Sequence, residues 1–181
     1  MQHLLKWLLT FFWVILAVPS LATSFEQKNF DQLVAEAEDI FAGTAITALP
    51  RRLAAGGIVT DVTFSNLQIV KGNSASTEIS LMTMGGTIGT ETMQIRGLPK
   101  FQTGNTYLIF SQGNGTTIFP VVGGDQGMFQ IRSDVVTGEK RVYSANGMPI
   151  VNPSVLQALS LQAPASVPLA VFLEAIRSRM H

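Results

Sequence analysis

The sequence predicts a mainly β fold: a small closed or partly open barrel of about six to eight strands, with a short N-terminal helix and one or two C-terminal helices. Three observations lead there. Short apolar segments with period-two alternation fill the middle of the chain, separated by turns rich in glycine, proline and asparagine. One long strand changes the face it buries halfway along, as a strand does when it turns a barrel corner. Helical periodicity occurs only toward the two ends.

The 181-residue chain opens with a leader. Residues 1–6 are short and carry Lys6, residues 7–18 are almost wholly apolar, and "PSLA" follows with Ser20 and Ala22 at signal-peptidase spacing. The apolar run is shorter than the roughly 20 residues that span a bilayer. We therefore expect a signal peptide over 1–22, cleavage after Ala22, a mature chain starting at Thr23, and a periplasmic or extracellular protein without a membrane span. The barrel is assigned to 23–147 and a helical extension packed on it to 148–181.

Composition narrows the chemistry. There is no cysteine, so the fold is built without disulfides and has no thiol nucleophile or thiolate metal site. Twelve acidic and twelve basic residues balance, with no basic run to suggest nucleic acid or an anionic membrane. His3 leaves with the leader and His181 is the final residue, which disfavours a Ser-His-Asp triad or a histidine zinc site. Both tryptophans, Trp7 and Trp13, lie in the leader, and Tyr107 and Tyr143 are the only tyrosines, a poor set for stacking sugars.

Within the mature chain, Phe30, Leu33, Val34 and Ala37 fall at helical spacing behind Asn29 as N-cap, predicting a helix over about 30–38. Ile40, Phe41 and the β-branched Thr44, Ile46 and Thr47 start a strand that Pro50 is expected to end, with a loop over 50–57. In the next strand Val62 and Phe64 share one face, and so do Leu67 and Ile69, but with the parity shifted. A bulge near Ser65–Asn66 brings all four inward. Gly72 and Asn73 make the following turn. Ile79, Leu81 and Thr83 then share a face.

The stretch "MGGTIGTETMQIRG" (84–97) tests a phosphate-loop reading. Such a loop needs a helix after its glycines. Here Thr87, Thr90, Thr92, Met93 and Ile95 follow, a strand pattern without a Walker lysine. Gly85–Gly86 is read as a turn or bulge and Gly89 as a second kink. Phe101 is an anchor before "TYLIF" (106–110), which is apolar on both faces and so central. A hairpin turn is expected over 111–116. "TIFPVV" is read as an edge or bulged strand, "GGDQG" as a tight turn, "MFQIR" as a strand, and 134–147 as a ribbon turning at Thr137–Gly138. Asn152 and Pro153 open a helix. A last helix carries Leu169, Phe172, Leu173, Ile176 and Met180 on one stripe, with Arg177 and Arg179 in its final turn.

Acidic residues are the remaining catalytic candidates. Glu36, Glu38 and Asp39 lie at a helix end; Asp61, Glu78 and Glu91 occupy polar strand positions; Asp125 is a turn former. Each reads as solvated surface, and "DQG" is a weak match to a calcium loop. No catalytic, cofactor-binding or metal-ligating residue is assigned, no cofactor is expected, and the protein is not expected to be an enzyme.

The run "LVAEAEDIFAGTAI … TDVTFSNLQIVKGN … GGTIG … LPKFQTGNTYLIF … VVGGDQGMFQI", over about 33–132, resembles a family of exported bacterial proteins of uncharacterised role. The resemblance implies an OB-like barrel similar to the tissue inhibitors of metalloproteinases, some members accompanying exported metalloproteases. Those inhibitors hold the enzyme's zinc with an N-terminal cysteine. Thr23 offers only an amine and a carbonyl, so no functional residue carries over. The expected role is non-catalytic binding to a protein in the envelope or medium, an exported metalloprotease being one partner so implied. The alternative is a cell-envelope protein that binds a small ligand or carbohydrate.

Overall fold

The computed structural model describes residues 25–73, 75–113, 117–152 and 166–180. The expected signal peptide, the tip of the 111–116 turn and the helix expected after Asn152 lie outside the described residues. The chain runs α1 (Phe30–Glu36), β1 (Asp39–Arg52), β2 (Ile58–Lys71), β3 (Ile79–Met84), β4 (Gly86–Ile88), β5 (Glu91–Met93), β6 (Thr106–Ser111), a 3-10 turn (Gly124–Gly127), β7 (Met128–Ser133), β8 (Lys140–Ser144) and α2 (Leu169–Arg177). The fold is mainly β. Six strands form one antiparallel sheet in the order β3-β2-β1-β6-β7-β8, and β4 pairs with β5 as a separate ribbon. Among the described residues β3 and β8 do not pair with one another. No described helix is long and apolar enough to cross a membrane.

α1 starts where the side chains dictate. The Asn29 side chain accepts from the Gln32 N–H at 2.9 Å. The Gln32 side chain accepts from the Asn29 N–H at 2.8 Å, which completes a reciprocal capping box. Phe30, Leu33 and Val34 are its buried face.

β2 has its bulge where the parity shift requires one. Ala42 and Thr44 of β1 face Gln68 and Ser65, so β2 uses one more residue than β1 across this step. Asn66 has a φ of 52, a left-handed conformation that asparagine tolerates. Val62 and Phe64 are buried, and Leu67 and Ile69 pack against the same cluster. β6 is central, between β1 and β7. Tyr107 and Ile109 enter one core cluster, Leu108 and Phe110 the other, so both faces of the strand are buried.

The sheet thus separates two cores. On one side α1 and α2 cover Ile40, Ala42, Leu108, Phe110, Phe129, Ile131 and Val142. Phe172 of α2 packs edge-on to Phe30 with ring centroids 5.2 Å apart. The apolar stripe of α2 is accordingly buried, and Met180 packs beside it. Val167 and Ile150 join the same cluster, tied to β8 by Val142 N–H to Val167 O and Ile150 N–H to Val142 O. On the other side Phe41, Phe64, Leu81, Tyr107, Ile109 and Met128 form the second core. Phe101 anchors its loop there, packed edge-on to Phe64 and Tyr107.

Three local expectations are corrected. Pro50 does not end β1; it pairs with Thr60, and the strand continues to Arg52. Beyond Thr44, β1 has only β2 as a strand partner, and a strand with one open side accommodates a residue that lacks an N–H. "TIFPVV" is not a strand. It follows β6 through Gln112 N–H to Pro120 O and Val122 N–H to Phe110 O, with one bridge at Val121. Pro120 supplies no donor for a longer ladder. Gly89 is not a kink in one strand but part of the two-residue turn, Gly89–Thr90, that joins β4 to β5.

Candidate functional site

The acidic residues do not converge. Glu36 pairs with Lys28 at 2.8 Å, Asp61 with Arg51 at 2.5 Å, and Glu91 with Arg52. The Arg52 guanidinium, by hydrogen bond and by charge, holds the exposed Glu91 carboxyl below its usual range. Glu38 accepts from the Gly113 N–H at 2.9 Å. Asp39 begins β1, Glu78 is exposed just before β3, and Asp125 lies in the 3-10 turn. Among the described residues no three acidic or histidine side chains gather as a metal site.

Two other features stand out. The first is a cleft of about 180 Å³ with three walls. One wall is Thr60, Thr83 and Met84 at the edge of the large sheet. The second is the β4–β5 ribbon with Met93, and the third is the 94–101 loop with Leu98 and Phe101. The glycines from the rejected phosphate loop build one corner. A Cβ on Gly86 would stand 2.5 Å from Thr60 Oγ1 and 3.2 Å from Pro50 Cβ, and φ at this residue is +142. The Arg52–Glu91 pair fastens the ribbon to β1. A neighbouring depression of about 450 Å³ shares Gln94, Ile95, Leu98 and Lys100 with the cleft and adds Arg96 and Asp125. Sequence reading missed the cleft because its walls come from separated segments. The signal available was the density of methionine and glycine over 82–93.

The second feature is the β7–β8 turn. Val135 is 99% exposed and Val136 is 88% exposed, side by side at its tip. The turn is nevertheless fixed. Asp134 Oδ1 accepts from the N–H groups of Val136 at 3.0 Å and Thr137 at 2.8 Å, and from the Thr137 hydroxyl at 3.0 Å. These bonds, led by the one from the Thr137 N–H, hold the Asp134 carboxyl below its ordinary value. The Asp134 and Gly138 backbone closes the turn through Gly138 N–H to Asp134 O and Asp134 N–H to Glu139 O.

With this geometry in hand, comparison with models of protein families, with curated proteins and with solved structures finds no match to the chain.

Proposed function

We propose that the protein is an exported, non-catalytic binding protein that works by docking another protein, with the β7–β8 tip as its contact. The observation that carries this reading is the pair Val135–Val136. Exposed single apolar residues are ordinary. Two adjacent valines held out on a turn pinned by Asp134 form a pre-organised apolar contact. The leader over 1–22 supports export. The resemblance to proteins that accompany exported metalloproteases makes such an enzyme the first partner to try. We also read the sheet as a partly open OB-like barrel. Supporting this, one core cluster gathers Leu81 of β3 and Met128 of β7, strands that stand far apart in the sheet order.

The test is affinity capture from the source organism's envelope and culture medium, followed by binding of the purified prey to wild type and to the V135S/V136S double variant. The reading expects the variant to bind at least about tenfold more weakly, as loss of two desolvated aliphatic anchors implies. Equal affinity of the two proteins would remove the tip as the contact. If the prey is a metalloprotease, inhibition kinetics then decide between an inhibitor and a companion.

A further inference from the structure

We propose that the cleft beside the β4–β5 ribbon binds a small, mainly apolar molecule carrying one hydroxyl, and that Thr83 recognises that hydroxyl. Thr83 lies on the inner face of β3, in register opposite Thr60 of β2. It is only 5% exposed, and its Oγ1 has no hydrogen-bond partner, alone among the buried side-chain nitrogens and oxygens of the described residues. A buried hydroxyl without a partner is unfavourable, and a ligand that supplies one recovers the bond.

The surroundings define that ligand. Thr60 Oγ1 donates to the Gly85 carbonyl at 2.7 Å. Its proton is therefore committed, while its oxygen can still accept. Thr87 and Thr92 are bonded to each other at 3.0 Å. Among the threonines of the cleft, the free hydrogen-bonding capacity is thus a hydroxyl that can donate or accept and, on the residue opposite it in register, an oxygen that can only accept. A ligand hydroxyl matches both at once. The apolar part of the cleft includes Met84, Met93, Leu98 and Phe101, with Gln94 and Lys100 as further polar members, and thioether side chains adapt to irregular apolar bodies. The Lys100 ammonium is already held by Gln94 Oε1 at 3.2 Å. The volume of about 180 Å³ suits one aromatic ring with a short substituent, since apolar cavities of similar size take up benzene.

The experiment uses two probes of nearly equal shape, benzyl alcohol and ethylbenzene, titrated into wild-type protein and into Thr83→Val, Thr83→Ser and Met93→Ala variants. Binding is followed by NMR of 13C-labelled methionine methyls. In wild type, benzyl alcohol should shift the Met84 and Met93 methyl signals. Thr83→Val should weaken benzyl alcohol about three- to tenfold, the worth of one neutral hydrogen bond, while leaving ethylbenzene unchanged or tighter. Thr83→Ser should retain the preference, and Met93→Ala should weaken both probes. The proposal is overturned if neither probe binds at millimolar concentration, which leaves water as the occupant. It is also overturned if Thr83→Val weakens both probes equally, or if the shifts map away from Met84 and Met93. The wild-type mapping stands whether or not the Thr83 variants fold.

Discussion

The Lys71 ammonium at the end of β2 lies 2.5 Å from the carbonyl oxygen of Ala37, just past α1, and donates to the Val34 carbonyl at 2.8 Å as well. One cation thereby satisfies carbonyls that the helix end leaves open, and it sits at the negative end of the helix dipole. Lys71→Met keeps the aliphatic stem and removes these bonds. The expected loss is about 1–2 kcal/mol, read as a lower urea midpoint with an unchanged slope.

Gly86 and Gly89 separate two kinds of glycine requirement. Both have positive φ, but a Cβ on Gly89 meets nothing within 4 Å, whereas one on Gly86 meets Thr60 Oγ1 at 2.5 Å. Gly89→Ala should cost about 1–2 kcal/mol from backbone strain alone. Gly86→Ala adds a clash at the corner of the cleft and should cost more, on the order of 3 kcal/mol. Thermal unfolding of the two variants side by side checks the order, and equal costs would contradict it.

Phe172→Ala tests whether α2 belongs to the main core. Phe172 is fully buried between Phe30 and Phe129, with centroids 5.2 Å and 5.0 Å away. Truncation should destabilise the whole domain by about 3–5 kcal/mol. The expected readout is one cooperative transition at lower denaturant. A separate early transition, with the sheet unaffected, would show α2 to be a detachable appendage.

The pH behaviour of the β7–β8 tip follows from Asp134. Its carboxyl is depressed by the hydrogen bonds it accepts. The order it imposes is therefore fully present above the ordinary carboxylate range and is lost as pH falls through the lower folded-state value. The Val136 and Thr137 amides should exchange slowly at neutral pH and speed up beyond the intrinsic trend in acid. Asp134→Ala should show the fast exchange at every pH. Protection in that variant would mean that the backbone alone fixes the turn.

Much of this architecture is legible in the sequence because local chemistry and tertiary context agree. The Asn29 cap, the bulge at Asn66, the two-faced burial of 106–110 and the stripe of α2 each follow from side-chain type and period. The departures occur where context overrides local preference. Pro50 is a strand breaker by composition, yet it is tolerated because β1 has an open side there. Residues 117–122 look like a strand by composition, yet Pro120 limits them to a few bonds with β6. The cleft left only a faint mark, the density of methionine and glycine over 82–93. Period two places Thr83 on the inner face, but nothing local says that its hydroxyl goes without a partner or that Leu98 and Phe101 line the same cleft.

The pairing of α1 with α2 has a consequence for the order in which the chain is made. Arg179 Nε lies 2.5 Å from Asp31 Oδ1, and its guanidinium stacks over Phe30 at 4.9 Å, so a contact between residues 148 positions apart seals one core. Synthesis delivers α1 early and α2 late. Until residues 166–180 emerge, Phe30 and Phe129 lack the Phe172 ring that later covers them, and that core cannot close. That core therefore stays incompletely packed through most of the chain's elongation, and a product that stops short of α2 leaves it exposed to proteolysis.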